Sequence, residues 1–141
     1  MSAMKTTVLL CDHAQEVGGK LYILGGGWSQ YRGTPVTMTL AVKIAVPWDE
    51  ANMQHDFMAK LVTEDGGDPV LPQPEGGAAP IPIEFQGQFE SGRPPGLAPG
   101  STLDAPFVVN VAGLPLAGGR YEWQVLIDGE LVDRVSFMVA L

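Results

Sequence analysis

Apolar and polar residues alternate with a period of two along most of this chain, and that period predicts strands with one buried face. The cleanest case is Val36–Val46. There Val36, Met38, Leu40, Val42, Ile44 and Val46 share one parity, while Thr37, Thr39, Ala41, Lys43 and Ala45 share the other. His55–Thr63 alternates less sharply, with Phe57, Ala59 and Leu61 against Asp56, Met58, Lys60 and Val62. Ile81, Ile83, Phe85 and Phe89 are separated by polar residues and Pro82, with Gly87 a candidate bulge in that strand. A further strand is expected over 102–111, with Phe107, Val109 and Val111 inward. Nearer the start, 6–11 is a continuous apolar run, as for a strand buried on both faces or lying under a later element. A turn over 15–19 follows, then a second strand over 20–24. Gly25-Gly26-Gly27 permits a bend, which Trp28 and Tyr31 are placed to cover.

The final segment predicts a hairpin around Asp128-Gly129. Tyr121, Trp123, Val125 and Ile127 share one parity. A two-residue loop with unbroken pairing would set Trp123 against Arg134 and Tyr121 against Ser136, so that an aromatic face meets a polar one. A three-residue turn, Ile127-Asp128-Gly129 with Gly129 left-handed, restores the match. Tyr121 then faces Val135, Val125 faces Leu131, and Glu122 faces Arg134. Gly118-Gly119-Arg120-Tyr121 has the pattern of a tyrosine corner, a tyrosine at the start of a late strand that bonds back to loop backbone.

The eighteen glycines and twelve prolines lie mostly between these alternating segments, where they serve as turns. In helix interiors each would cost about 1 kcal/mol (Gly) or about 3 kcal/mol (Pro). The expectation is therefore an all-β chain: a single-domain antiparallel β-sandwich of about eight strands, of Ig-like or Greek-key type, with at most one short helical turn. That turn is expected after Pro47, with Asp49 as its N-cap. Eight of the sixteen residues over 65–80 are Gly or Pro, which predicts a mobile surface loop.

The chain carries 8 basic and 16 acidic residues, for a net charge of −8. That sign disfavours nucleic acid and anionic membrane surfaces as partners. No apolar run approaches the ~20 residues of a membrane helix, and the stretch after Lys5 is too short for a signal peptide, so the expected compartment is the cytoplasm. Cys11 is the only cysteine, which suits a reducing interior.

Candidate chemistry is sparse. Cys11, His13 and His55 are the residue types of a nucleophile pair or a metal site, but Cys11 closes an apolar run and reads better as an inert thiol. Asp49, Glu50, Glu64, Asp65 and Asp68 lie in two inter-strand stretches that could offer oxygens to calcium, though without EF-hand spacing. Gly25-Gly26-Gly27 precedes a strand and so is no phosphate loop. Trp48 and Trp28 are candidates for ligand or partner contact, and Arg93, in Arg93-Pro94-Pro95, for a docking loop.

Cys11-Asp12-His13-Ala14, the segment 19–28, Pro47-Trp48 with Asn52 and His55, Gly92-Arg93-Pro94-Pro95-Gly96, and Gly119-Arg120-Tyr121-Glu122-Trp123 together resemble a family of small uncharacterised bacterial proteins, largely actinobacterial. It is known as a domain of unknown function. The resemblance implies a compact single-domain protein and carries no catalytic residue or cofactor; 65–80 looks like an elaboration on the family pattern. The expected role is a non-catalytic binding or assembly module. It would take a protein partner or self-associate, as a homodimer through the polar Thr37, Thr39 and Lys43 face of the long strand.

Overall fold

The computed structural model describes residues 4–141 and arranges them as two facing sheets with a small separate ribbon. Eight strands have seven or more residues: β1 (Lys5–Val17), β2 (Lys20–Gly26), β4 (Val36–Val46), β5 (His55–Thr63), β8 (Ile83–Phe89), β9 (Leu103–Leu114), β10 (Gly119–Ile127) and β11 (Glu130–Ala140). Three have three residues each: β3 (Gln30–Arg32), β6 (Val70–Pro72) and β7 (Ala78–Pro80). One sheet runs β2-β1-β4-β9 and the other β3-β11-β10-β5-β8. The chain changes sheet from β2 to β3, β3 to β4, β4 to β5, β8 to β9 and β9 to β10, which makes this an Ig-like sandwich. The one helical element among the described residues is a 3-10 turn, Trp48–Glu50. Its N-cap is Pro47, and no side chain caps it, so Asp49 does not have the predicted role.

Alternation places the core where the sequence put it. Val36, Leu40, Val42, Ile44 and Val46 of β4 face Ala59, Leu61, Trp123, Val125 and Ile127 of the other sheet, all buried. Trp123 is the largest fully buried side chain, and its Nε1–H meets the Met38 sulfur at 3.3 Å. Tyr121 forms the corner, its hydroxyl donating to the Ala117 carbonyl at 2.8 Å.

The hairpin β10–β11 differs from the expected register. Asp128 (φ 50) and Gly129 (φ 80) are both left-handed, as a two-residue type I′ turn requires. Parity is restored instead by a bulge: Leu126 pairs with Leu131 and Val125 with Asp133, leaving Val132 as the extra residue. Tyr121 therefore faces Phe137, Trp123 faces Val135 and Glu122 faces Ser136, so the predicted pairs Tyr121–Val135, Val125–Leu131 and Glu122–Arg134 do not form. The shared aromatic face is as expected.

Other differences are local. β1 continues to Val17, and the turn is confined to Gly18-Gly19. Its two-sided burial holds at Leu10 and Cys11, whereas Leu9 is exposed. Gly87 is not a bulge, because β8 pairs with β5 without a break from His55–Phe89 to Leu61–Ile83. Residues 65–80 are not a structureless loop. They hold the ribbon β6–β7, and Leu71 is buried in the main core. One pair is parallel, β3 with β11.

The expected self-association face is covered in part, at Thr39. Leu21 of β2 and Val108 of β9 pack on one small cluster with Cys11, Ala14 and Ala41, so the β1–β2 hairpin bends across the outer face of its own sheet. Thr39 is only 4% exposed and donates to Asn110 at 2.9 Å; Thr37 and Lys43 remain exposed. The bend needs glycine at position 25. Gly25 has φ 61, and a Cβ there would overlap the Asp12 carboxyl group.

Candidate functional site

β8 and β9 are each paired on one side only, and they border the same open flank of the sandwich. Between them lies a trough of about 950 Å³. Its apolar surface comes from Phe57, Phe85, Phe89 and Phe107, with Leu97 and Pro94 from the loop joining the two strands. The rings are interlocked. Phe57 meets Phe107 edge-on at 4.6 Å between centroids, Phe89 stacks on Phe107 at 6.1 Å, and Phe85 leans on Trp123 at 5.9 Å. These contacts fix the rings in the wall, with Phe85, Phe89 and Phe107 half-buried and Phe57 buried.

Gly87 makes the space. It occupies the inward parity between Phe85 and Phe89 and pairs with Phe57, and a Cβ at this position would meet nothing within 4 Å. Its φ is not in the left-handed region, so its backbone does not require glycine. The missing side chain is what leaves a notch in an otherwise aromatic wall. Around it the charged lining is Glu16, Glu90 and Asp104, and no Lys, Arg or His lines the trough.

One end of the trough is fixed by a polar corner. Arg93 donates from Nε (3.1 Å) and Nη2 (2.6 Å) to the Trp48 carbonyl, and its guanidinium lies 4.6 Å from the centre of the Trp48 ring. Trp48 and Arg93, separate candidates in the sequence, are thus each other's partners, and one face of the indole is occupied. The Asn52 N–H bonds the Ser91 carbonyl at 2.8 Å, tying the 3-10 turn to the end of β8. Beneath this corner His55 is 3% exposed. Its Nδ1 lies 2.8 Å from the Asp128 carboxylate and its Nε2 lies 2.8 Å from the Glu50 carbonyl. Both partners are acceptors, so both bonds require a proton on each nitrogen, which is the imidazolium form. Burial disfavours that charge, but the Glu50 carbonyl and the Asp128 carboxylate outweigh it, and the His55 pKa is raised. Asp128 is correspondingly lowered by its bond to His55 and by the Asp56 N–H at 2.8 Å.

The remaining candidates are dispersed. Cys11 is buried on the outer side of the first sheet, its thiol donating to the Thr39 carbonyl at 3.3 Å, and burial, reinforced by Asp12, pushes its pKa up. His13 is exposed on β1, and His55 belongs to the second sheet, so the three do not form the predicted nucleophile or metal group. Among the described residues no three His, Cys, Asp or Glu side chains gather as metal ligands would, and Asp49, Glu50, Glu64, Asp65 and Asp68 are not brought together. Trp28 lies apart, tilted against Tyr31 at 5.7 Å, with its Nε1–H buried and meeting no protein acceptor. Sequence reasoning missed Gly87 and the phenylalanines as a site. The available signal was a glycine at an inward position flanked by Phe85 and Phe89. It also missed the bond between Asp128 and His55, which joins residues 73 apart and has no local signature.

Among the described residues no helix is long and apolar enough to cross a membrane. No curated protein matches the chain. Among solved structures, an immunoglobulin-like protein from Pseudomonas aeruginosa is 11% identical, with a TM-score of 0.44 over 98% of this chain and 97% of that one. The alkylpurine DNA glycosylase AlkC of Pseudomonas fluorescens, bound to DNA containing an abasic site analogue, is 12% identical with a TM-score of 0.40 over 95% of this chain. This chain spans 30% of that protein's length. At those scores neither bears on what the trough holds. Residues 6–140, nearly the whole chain, match the model of a family of unknown function, DUF6941, and the chain belongs to that family.

Proposed function

We propose that this protein is a non-catalytic binding module and that the trough between β8 and β9 is its ligand site. The observation that carries this reading is the notch at Gly87, an open position in a wall that would otherwise be closed by aromatic side chains. The lining offers aromatic rings, side-chain amides and carboxylates, which suit recognition by burial and hydrogen bonding. The single cysteine, buried, is in keeping with a reducing compartment, and we place the module in the cytoplasm.

Gly87→Trp tests this. The position has ordinary strand backbone and free space around a Cβ, so a large side chain can enter there and occupy the notch. The uncharged dye Nile red is expected to bind the native protein saturably at one site and to lose that site in the variant, with the melting temperature unchanged or higher. Saturable binding that survives Gly87→Trp, or no binding at all, overturns the reading.

A further inference from the structure

We infer that the occupant of the trough is an extended, basic segment of a partner protein, added as a strand to the free edge of β8. This rests on the binding reading above and names the class of ligand. The lining residues carry the first step. Residues 85–92 and 102–110 line the trough consecutively. Neighbours on a strand point to opposite faces, so a space touched by both parities runs along the strand edges, where backbone N–H and C=O groups lack a partner strand.

The dimensions carry the second step. The stretch from Leu103 to Asn110, all within β9, covers about 23 Å at ~3.3 Å per residue, and β8 borders it from Phe85 to Phe89. A volume of about 950 Å³ spread over that length has a mean cross-section of about 40 Å². One strand in packed sheets occupies about 4.8 Å by about 10 Å, or ~48 Å². The trough is thus of the order of one strand in cross-section and has the length of about eight extended residues.

Of the two edges, β9 is blunted by Pro106, which has no N–H to donate. β8 has no proline between Ile83 and Phe89, and its only charge, Glu84, faces Lys60 within its own sheet at 3.9 Å. Its edge is the one left able to pair. Charge sets the partner's chemistry. The lining carries Glu16, Glu90 and Asp104 with no cation, although Asp104 is shared with Lys43 at 3.3 Å and Arg93 sits at one end, turned to the Trp48 carbonyl and ring. A second copy of this chain, at net charge −8, is repelled, whereas a segment alternating apolar and basic residues satisfies both wall and rim.

The test uses the full chain and capped peptides of about eight residues that alternate lysine with valine. Calorimetry should show binding at about 1 mM peptide or below, with amide exchange slowed along β8. Replacing lysine by glutamate, or methylating alternate peptide nitrogens, should weaken binding by at least about tenfold. Glu90→Lys, at an exposed position, should weaken it in the same direction without altering the melting temperature. Equal binding of the glutamate peptide, or binding without protection of β8, overturns the strand. If Nile red binds in a manner sensitive to Gly87→Trp but no peptide displaces it, the strand falls and the binding reading stands. A dimer abolished by Gly87→Trp makes the occupant a second copy and overturns the basic partner.

Discussion

His55 is held by two acceptors, and its replacement by alanine should cost stability in a way that depends on pH. Each bond from a charged donor contributes about 1.5–3 kcal/mol. The Asp128 side chain is 50% exposed, so solvent screening places this pair at the low end. Two such bonds from one ring come to about 3 kcal/mol, or roughly 12 °C at about 4 °C per kcal/mol for a chain of this size. The sign follows from the raised pKa. The stabilisation is fully present below the unfolded value of 6.5 and is lost as pH rises through the higher folded value. Asp128 acts oppositely: its contribution is present above 3.8 and is lost as pH falls through its lowered folded value. Melting followed by circular dichroism from pH 5 to 9 should therefore show a gap between the native protein and His55→Ala that is widest near pH 5.5 and narrows toward pH 9. Asp128→Asn keeps the bond from the Asp56 N–H and tolerates the left-handed backbone, so it should lower the His55 pKa, read by NMR, without undoing the turn. A gap independent of pH, or a His55 that titrates at or below 6.5 in the native protein, would refute the imidazolium clamp.

Three further outcomes are expected. Tyr121→Phe should cost about 1 kcal/mol in urea unfolding, with an unchanged m-value, because the Ala117 carbonyl loses its donor while the ring packing on Phe137 stays. Leu71→Ala should cost about 2 kcal/mol or more if the β6–β7 ribbon is docked as its burial indicates, and almost nothing if 65–80 is a free loop. Cys11 should resist a thiol reagent in the native protein and react fully in denaturant; rapid labelling at neutral pH would contradict its burial and raised pKa.

The two-sheet architecture was legible because burial imposes parity on each strand, and β4 and β10 carry that parity almost without error. The hairpin shows where such reading stops. Sequence revealed that a simple two-residue loop conflicts with the two faces, but an odd loop and a bulge both remove the conflict, and local residues do not distinguish them. Tertiary bonds decide it here, because Asp128 is held in the left-handed region with its carboxylate bound to His55 and the Asp56 N–H. The ribbon was missed for a related reason: Gly and Pro dominate 65–80, and one leucine reaching the core outweighs that composition. Trp48 and Arg93 were identified singly, yet their pairing depends on a loop closing over a turn 45 residues away. The trough was least legible, since it is made by two strand edges, and edges are a property of sheet order.

The short pairing of β3 with β11 sets how the chain bears load. Gln30, Tyr31 and Arg32 run alongside Met138, Val139 and Ala140 in the same direction, and the Gly33 N–H and the Ser29 carbonyl extend the ladder at either end. Tension applied just before β3 and just after β11 enters these parallel strands at opposite ends, so their bonds are sheared together instead of being unzipped one at a time. A seam only a few residues long thus resists tension as a unit, and it lies on the far edge of the sheet from β8, leaving that edge free of the mechanical connection.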